Sequence, residues 1–504
     1  MKKDIVILGG GAAGWLTALF LKKNYPNNNV TVIEDPATPP IIAGESGNAL
    51  LNKLYNFLEI NIDDWAVKVN AMPKLGGKFT DWNGHGTDFI HGLIPEWYKR
   101  NYESEFPEFA RNNDFVACAI VNNVKLEDVF YNGRLQRTGK LPISDPVIPN
   151  TNFNVISMPM WHFDSRANAD YLKTLGISRD INLVEGKYTT CTRLDSGGIA
   201  SLSLEGDRTV TGDWFFDCSG FARLLVHKEM GEKFIDYTNY FPAREAVAWW
   251  DEEPSVVNYT ALTAMEYGWS WGINLKHRVG NGYIFDPDLI TVDQAIAEAE
   301  KKFGKPITPV ANIKFTPNQI EKAWTENVFA FGLSSGFVEP LESNGLLVVV
   351  AQLNLLSDYW TPESSHKSIM HTKFNTEFLD RMNDVRDFLA MHYRGHRRDT
   401  EFWRSHANDK FRIPPSVQDR LDMFSEGYLG LPNTLSYGFE SYATVAQGLG
   451  LINIEKLKAR LLSKRSNILT DFDQHYAVLS KEIDQMCQIC YTTEQWKNII
   501  YGNS

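Results

Sequence analysis

Three glycines near the amino terminus constrain this chain more than any other feature. Ile5-Val6-Ile7-Leu8 is an apolar, β-branched run of buried-strand type, and Gly9-x-Gly11-x-x-Gly14 follows it directly. Ala12 to Lys23 has helical composition. Tyr25-Pro26-Asn27-Asn28-Asn29 breaks it, and Val30-Thr31-Val32-Ile33 reads as a second strand ending at Glu34. Strand, glycine turn, helix and second strand make a βαβ unit of the dinucleotide-binding kind. The glycines permit a tight turn and close backbone approach to a pyrophosphate, which then faces the positive end of the helix dipole. Ala12 and Ala13 belong to the same phosphate loop. Glu34 lies 20 residues beyond Gly14, where an acid accepts hydrogen bonds from a ribose hydroxyl. The pattern by itself does not separate FAD from NAD(P). Asp213-Trp214-Phe215-Phe216-Asp217-Cys218-Ser219-Gly220 is a further strand running into a glycine turn. Flavoproteins commonly place such a turn beside the adenine dinucleotide; a plain strand end is the alternative.

Charge and composition exclude several classes. Lys and Arg total 50 against 62 Asp and Glu, a formal net charge of −12. That balance lacks the basic footprint of a general nucleic-acid or anionic-membrane binder. No apolar run reaches the ~18–20 residues that span a bilayer. The start Met1 to Leu8 resembles a signal peptide only briefly, because Gly9 to Gly11 interrupt it. Five cysteines in 504 residues do not make a secreted disulfide scaffold, so a reducing, cytoplasmic location is expected. Cys487-x-x-Cys490 has no second Cys or His pair nearby, and a zinc site needs about four ligands; no metal is expected. The 14 Trp, 20 Tyr and 29 Phe suit a core, and also a stacking pocket for a planar ligand.

Along the chain, residues 45–71 read as mostly helical and 75–155 as strands and loops. A helix is expected at Ser165–Leu175, then strands and a hairpin turning at Asp195-Ser196-Gly197-Gly198. Residues 310–360 give strand, loop and helix, and charged helical segments dominate thereafter.

Further segments, taken in order, resemble the flavin-dependent halogenases of the tryptophan-halogenase family. Gly44-Glu45-Ser46 is similar to a stretch lining the flavin. Lys74-Leu75-Gly76-Gly77-Lys78-Phe79-Thr80-Asp81-Trp82 resembles the segment that opens on the catalytic lysine. Gly268-Trp269-Ser270-Trp271-Gly272-Ile273-Asn274-Leu275 resembles the family's Trp-x-Trp-x-Ile-Pro. Gly332-Leu333 and Gly336-Phe337-Val338-Glu339-Pro340-Leu341-Glu342-Ser343-Asn344-Gly345 closely resemble the block ending Glu-Ser-Thr-Gly. His392-Tyr393-Arg394 and Arg397 to Trp403 match a later segment. Asn274 departs from the family proline, which threatens to loosen the strand ending at Ile273, and Asn344 from its threonine.

The resemblance implies an α/β architecture: an FAD-binding Rossmann-like fold of the flavin monooxygenase and halogenase type, with an added β-rich substrate region and a helical carboxy-terminal subdomain. Residues 1–360 are expected to hold the FAD module and the interwoven β-rich region, and residues 361–504 a mostly helical subdomain covering the substrate pocket. It implies that halide is oxidised to hypohalous acid at reduced FAD with O₂ and travels to Lys74, beside an electron-rich, indole- or phenol-like substrate. Gly44, Glu45, Ser46, Val184, Gly220, Leu333 and Leu346 join Gly9, Gly11, Ala12, Ala13, Gly14 and Glu34 around the cofactor. The Asn344 and Gly345 amides would hold the halide as a small nest. Glu342 would polarise the electrophile or take the ring proton. Trp269, Trp271 and Ile273 would separate flavin from substrate, and His91 would line the substrate pocket, although a structural histidine fits as well. With one dinucleotide fingerprint, reduced flavin should come from a separate NAD(P)H-dependent reductase. A flavin hydroxylase and a non-catalytic flavin-binding protein are the alternatives.

Overall fold

The computed structural model describes residues 2–38, 45–92, 113–143, 159–365, 368–408, 412–430 and 436–502. Gly44 lies outside them. Two compact units interleave along the chain. The first gathers Met1–Ala71, Phe163–Thr238 and Phe315–Asn383; the second gathers Met72–His162, Asn239–Lys314 and Asp384–Ser504.

The first unit is built on a six-stranded sheet in the order Trp324–Thr325, Val328–Ala330, Trp214–Asp217, Asp4–Leu8, Asn29–Glu34, Asn182–Glu185. All its pairings are parallel except the one between the first two strands. Parallel strands covered on both faces read as unbroken apolar runs, and Ile5 to Leu8 are buried at every position. Helix Ala12–Asn24 has no polar stripe because Gly14 to Leu21 are all buried. Helix Ser165–Ser178 runs a turn past its expected end, and Asp164 caps it by accepting from the Arg166 and Ala167 amides. The hairpin strands Tyr188–Arg193 and Ile199–Leu204 flank the expected turn. Val184 lies on the edge strand opposite Ile33.

The second unit carries a seven-stranded sheet in the order Pro309–Lys314, Glu245–Asp251, Val279–Phe285, Gly268–Asn274, Thr260–Ala264, Gly76–Thr80, Asp88–Gly92. Only the contact of Thr260–Ala264 with Gly76–Thr80 is parallel. Strand Met72–Lys74 pairs antiparallel with Met160–Phe163, setting Met72 opposite His162 and Lys74 opposite Met160.

Residues 75–155 depart from expectation. Besides strands they hold helices Asp114–Val121, Leu126–Val129 and Tyr131–Arg137. Asp114 to Ile120 are buried all round, and a short apolar run without a polar face suits a buried helix and a buried strand equally. Beyond residue 361 the described elements are helical. Helix Ile369–His392 is divided between the units at Asn383, and the later helices belong to the second.

Candidate active site

In the first unit, strand Asp4–Leu8 ends at the glycine loop. Gly9 adopts φ +125°, and a Cβ there would lie 2.2 Å from the Cys218 carbonyl oxygen; one on Gly14 would lie 1.9 Å from the Gly9 oxygen. Both positions therefore exclude side chains. A Cβ on Gly11 would meet nothing within 4 Å, so the backbone at the start of the helix is open to approach. Glu34 closes one side: its carboxyl lies where a Gly10 side chain would be, and Lys173 pairs with it at 3.0 Å. The strand Trp214–Asp217 lies beside Asp4–Leu8, as the second glycine turn suggested, and Gly220 follows it at φ +66°.

Asp217 locks these turns together, a role the sequence reading missed. Its carboxylate is fully buried and accepts from the Ser219 amide at 3.0 Å, the Leu225 and Val226 amides at 2.8 and 2.9 Å, and the Ser334 hydroxyl at 3.1 Å. Ser334 belongs to the turn Gly332–Ser334 that carries Leu333, and Gln352 accepts from the Gly332 amide at 3.0 Å. An open helix N-terminus, a ribose-type acid and a side-chain-free loop fit the pyrophosphate and ribose of FAD.

The halide candidates sit at another helix start in this unit. Glu342 and Ser343 have φ +61° and +58°, both left-handed, and helix Asn344–Tyr359 begins directly after them with no side chain capping it. Its leading amides, at Asn344 and Gly345, are the positive end of a 16-residue helix. Asn344 is buried and donates from Nδ2 to the Glu339 and Leu341 carbonyls at 2.7 and 2.9 Å. The Ser343 hydroxyl donates to Ser46 Oγ at 2.9 Å. Ser46, in the short strand Glu45–Ser46, is thereby tied to this turn. Leu346 is buried one turn into the helix. Asn344 thus braces the turn with two side-chain bonds.

In the second unit, Lys74 ends strand Met72–Lys74 and is 3% exposed. Its Nζ donates to Thr260 Oγ1 at 3.4 Å, and the same oxygen lies 2.8 Å from His162 Nε2. Burial first, and then the Lys74 charge, push the His162 imidazole well below the usual histidine range. Lys78, by contrast, is partly exposed in the middle of its strand and pairs with Asp88 at 3.2 Å. Trp269, Trp271 and Ile273 are buried on strand Gly268–Asn274, and the two indoles lie 6.2 Å apart. Trp271 covers Gly282 of the neighbouring strand so closely that a Cβ there would fall 2.0 Å from the ring. Asn274 does not loosen this strand. It pairs with Val279 and donates from Nδ2 to the Val257 and Tyr259 carbonyls at 3.2 and 3.3 Å.

His91 is buried opposite Gly77 with its ring 5.5 Å from Phe388, which stacks on Tyr437 at 3.9 Å. Trp82 donates from Nε1 to the Leu262 carbonyl at 3.1 Å and packs 6.2 Å from Trp269. The sequence reading missed Thr260, His162, Phe388 and Tyr437. His162 lies in strand Met160–Phe163, just before the helix-capping Asp164, with no motif around it to mark it. Cys487 and Cys490 are free and buried, and no cluster of metal-ligand type occurs among the described residues.

Comparison with known proteins gives the family. The tryptophan halogenase family model matches residues 4–462. The chain belongs to the tryptophan halogenase family. As a tryptophan-halogenase relative it is 30% identical to the tryptophan 6-halogenase ThaL of Streptomyces albogriseolus, over all of this chain and 99% of ThaL. It is 31% identical to the tryptophan 7-halogenase RebH of Lentzea aerocolonigenes over 89% of each chain. The fold superposes on the tryptophan C-6 flavin-dependent halogenase Tar14 with a TM-score of 0.84, covering 99% of this chain and all of that one at 25% identity. On the tryptophan 6-halogenase SttH of Streptomyces toxytricini the TM-score is 0.86 at 23% identity, covering 98% and 99%. This halogenase-family chain is therefore a flavin-dependent oxidoreductase that uses reduced FAD and a halide, rather than a hydroxylase.

Proposed function

We propose that the protein halogenates a free, electron-rich aromatic of indole or phenol type, with Lys74 as the halogen carrier. Bound reduced FAD, with O₂, supplies the oxidising equivalent that turns halide into hypohalous acid. The observation that carries the proposal is an amine 3% exposed in the motif position of the catalytic lysine. A buried amine is rare unless it is used or paired. An ammonium at Nζ holds hypohalous acid through its oxygen; a neutral amine exchanges a proton for the halogen and releases water. Either route fixes the electrophile at one atom, which is catalysis by positioning. The main-chain amides of Asn344 and Gly345, at the positive end of the helix, present themselves to the halide, and Glu342 takes the proton that the ring loses on rearomatising. Trp269, Trp271 and Ile273 exclude direct oxygen transfer to the ring. The softer halides are easier to oxidise, so bromide and iodide are used alongside chloride.

Reduced flavin comes from a separate NAD(P)H-dependent reductase, which a single dinucleotide fingerprint supports. Five free cysteines fit a cytoplasmic setting, and no helix among the described residues is long and apolar enough to cross a membrane. In the deciding experiment, Lys74→Ala binds FAD normally and yields no halogenated arene by mass spectrometry when chloride, bromide and iodide are each supplied with reduced flavin. Undiminished product would remove Lys74 from the mechanism. Steady NADH oxidation by the purified chain alone would remove the separate reductase.

A further inference from the structure

Lys74 has a long, flexible stem, yet its nitrogen must stand at one point for halogen transfer. The second unit shows what holds it there. Lys74 Nζ donates to Thr260 Oγ1 at 3.4 Å, and His162 Nε2 lies 2.8 Å from that oxygen. An ammonium only donates, so Thr260 accepts from it, and the same oxygen has a second lone pair and a proton with which to meet His162 Nε2. His162 is fully buried. A second positive charge beside Lys74 in a dry site is disfavoured, and the imidazole is neutral accordingly. The ring also faces the Asn274 main chain. Lys74 and His162 thus meet at one hydroxyl oxygen, that of Thr260.

The segment carrying Thr260 is itself clamped. Asn274 Nδ2 donates to the carbonyls of Val257 and Tyr259 on one side. Asn258 Nδ2 donates to the Lys140 carbonyl at 2.6 Å, and the Asn258 carbonyl accepts from the Leu75 amide, next to Lys74, at 2.8 Å. Asn274, the departure from the family proline, thus braces the strand that presents Thr260.

We propose that Thr260 and His162 are positioning residues for Lys74, forming a hydrogen-bonded relay in which the Thr260 hydroxyl, itself held by His162, anchors one N–H of the amine. The inference rests on Lys74 being the halogen carrier.

Thr260→Val keeps the β-branched shape and removes the hydroxyl; Thr260→Ser restores the hydroxyl without the methyl group. Indole and bromide serve as probes with reduced FAD, alongside Lys74→Ala. Thr260→Val is expected to lower kcat for bromoindole by about 10-fold or more, with the KM for indole nearly unchanged, since a misplaced catalytic group costs turnover rather than binding. Oxidant trapped by monochlorodimedone should rise in the same variant, and Thr260→Ser should recover most of the coupling. A second readout needs neither flavin nor substrate. In competitive labelling with acetic anhydride, read peptide by peptide, Lys74 should gain reactivity relative to the other lysines in Thr260→Val but not in Thr260→Ser. A dead Lys74→Ala together with wild-type turnover and wild-type Lys74 labelling in Thr260→Val overturns the relay and leaves the carrier standing. An active Lys74→Ala overturns the carrier, and the labelling result then bears on the relay alone.

Discussion

At the scale of single residues, two close approaches decide what the site tolerates. Trp271 lies across Gly282, where an added Cβ would fall 2.0 Å from the indole. Gly282→Ala must therefore push the ring out of its packed position. Overpacking of this kind costs about 1–3 kcal/mol, so the urea midpoint should drop and the tryptophan emission should shift. An unchanged midpoint and spectrum would mean that the ring yields freely. Gly14→Ala meets backbone rather than a side chain, at 1.9 Å from the Gly9 oxygen, and the loop has no soft direction to move. FAD binding, followed by quenching of flavin fluorescence, should be lost while the variant remains soluble; retained affinity would show that the loop is not the phosphate cradle. Gly14 was singled out by a glycine pattern with its own chemistry, and Lys74 by the resemblance of its segment to the family's. Thr260 and His162 were not singled out. Lys74 and Thr260 are 186 positions apart, and His162 and Thr260 are 98 apart, and they lie in two different sheets, so only the fold brings them together.

At the scale of elements, the turn before helix Asn344–Tyr359 is the least relaxed piece of the candidate site. Two consecutive non-glycine residues, Glu342 and Ser343, hold left-handed φ values. Each costs on the order of 1 kcal/mol or more, and such conformations persist only when surrounding contacts over-determine them. The contacts here include the two Asn344 side-chain bonds and the Ser343–Ser46 bond. Asn344→Ala removes the first two, a loss of roughly 1–3 kcal/mol. The expected result is a KM for bromide raised about 10-fold, with FAD affinity unchanged, measured by varying bromide at saturating reduced flavin. An unaltered bromide KM would show that the amides of Asn344 and Gly345 hold their geometry without the side chain. The helix could be read from Leu346 to Val350, an apolar run after a glycine turn. The strained φ pair could not, because neither Glu nor Ser signals a left-handed residue. Helix Asp114–Val121 was hidden for another reason: burial on every side erases the periodicity that marks a helix.

At the scale of the whole chain, the βαβ start and the parallel sheet followed from local pattern, but the sorting of distant segments into two units did not, since no linker composition marks their crossings. One consequence belongs to the second unit as a body. It buries two neutral histidines. His162 is held well below the usual range by burial and Lys74; His406 is brought to about 3 by burial and the Arg394 charge, against the opposing hydrogen bond to the Phe402 carbonyl. In the unfolded chain both titrate near 6.5. Above that value neither state binds the proton, and folding is unaffected. Below it the unfolded state takes up protons that the native state refuses, so stability falls as the pH drops, at up to about 1.4 kcal/mol per pH unit for each histidine. For His406 the fall continues down to about pH 3. Buried Glu127, Asp286 and Glu298 have raised values and act with the opposite sign, so the net loss is smaller than the histidine sum. The histidine contribution is isolated by comparing slopes. Between pH 7 and 5, urea denaturation of wild type should lose roughly 2 kcal/mol more than His406→Phe, a residue that cannot titrate. Equal losses in the two proteins would mean that His406 is already protonated in the folded unit, and that the charge of Arg394 does not reach it.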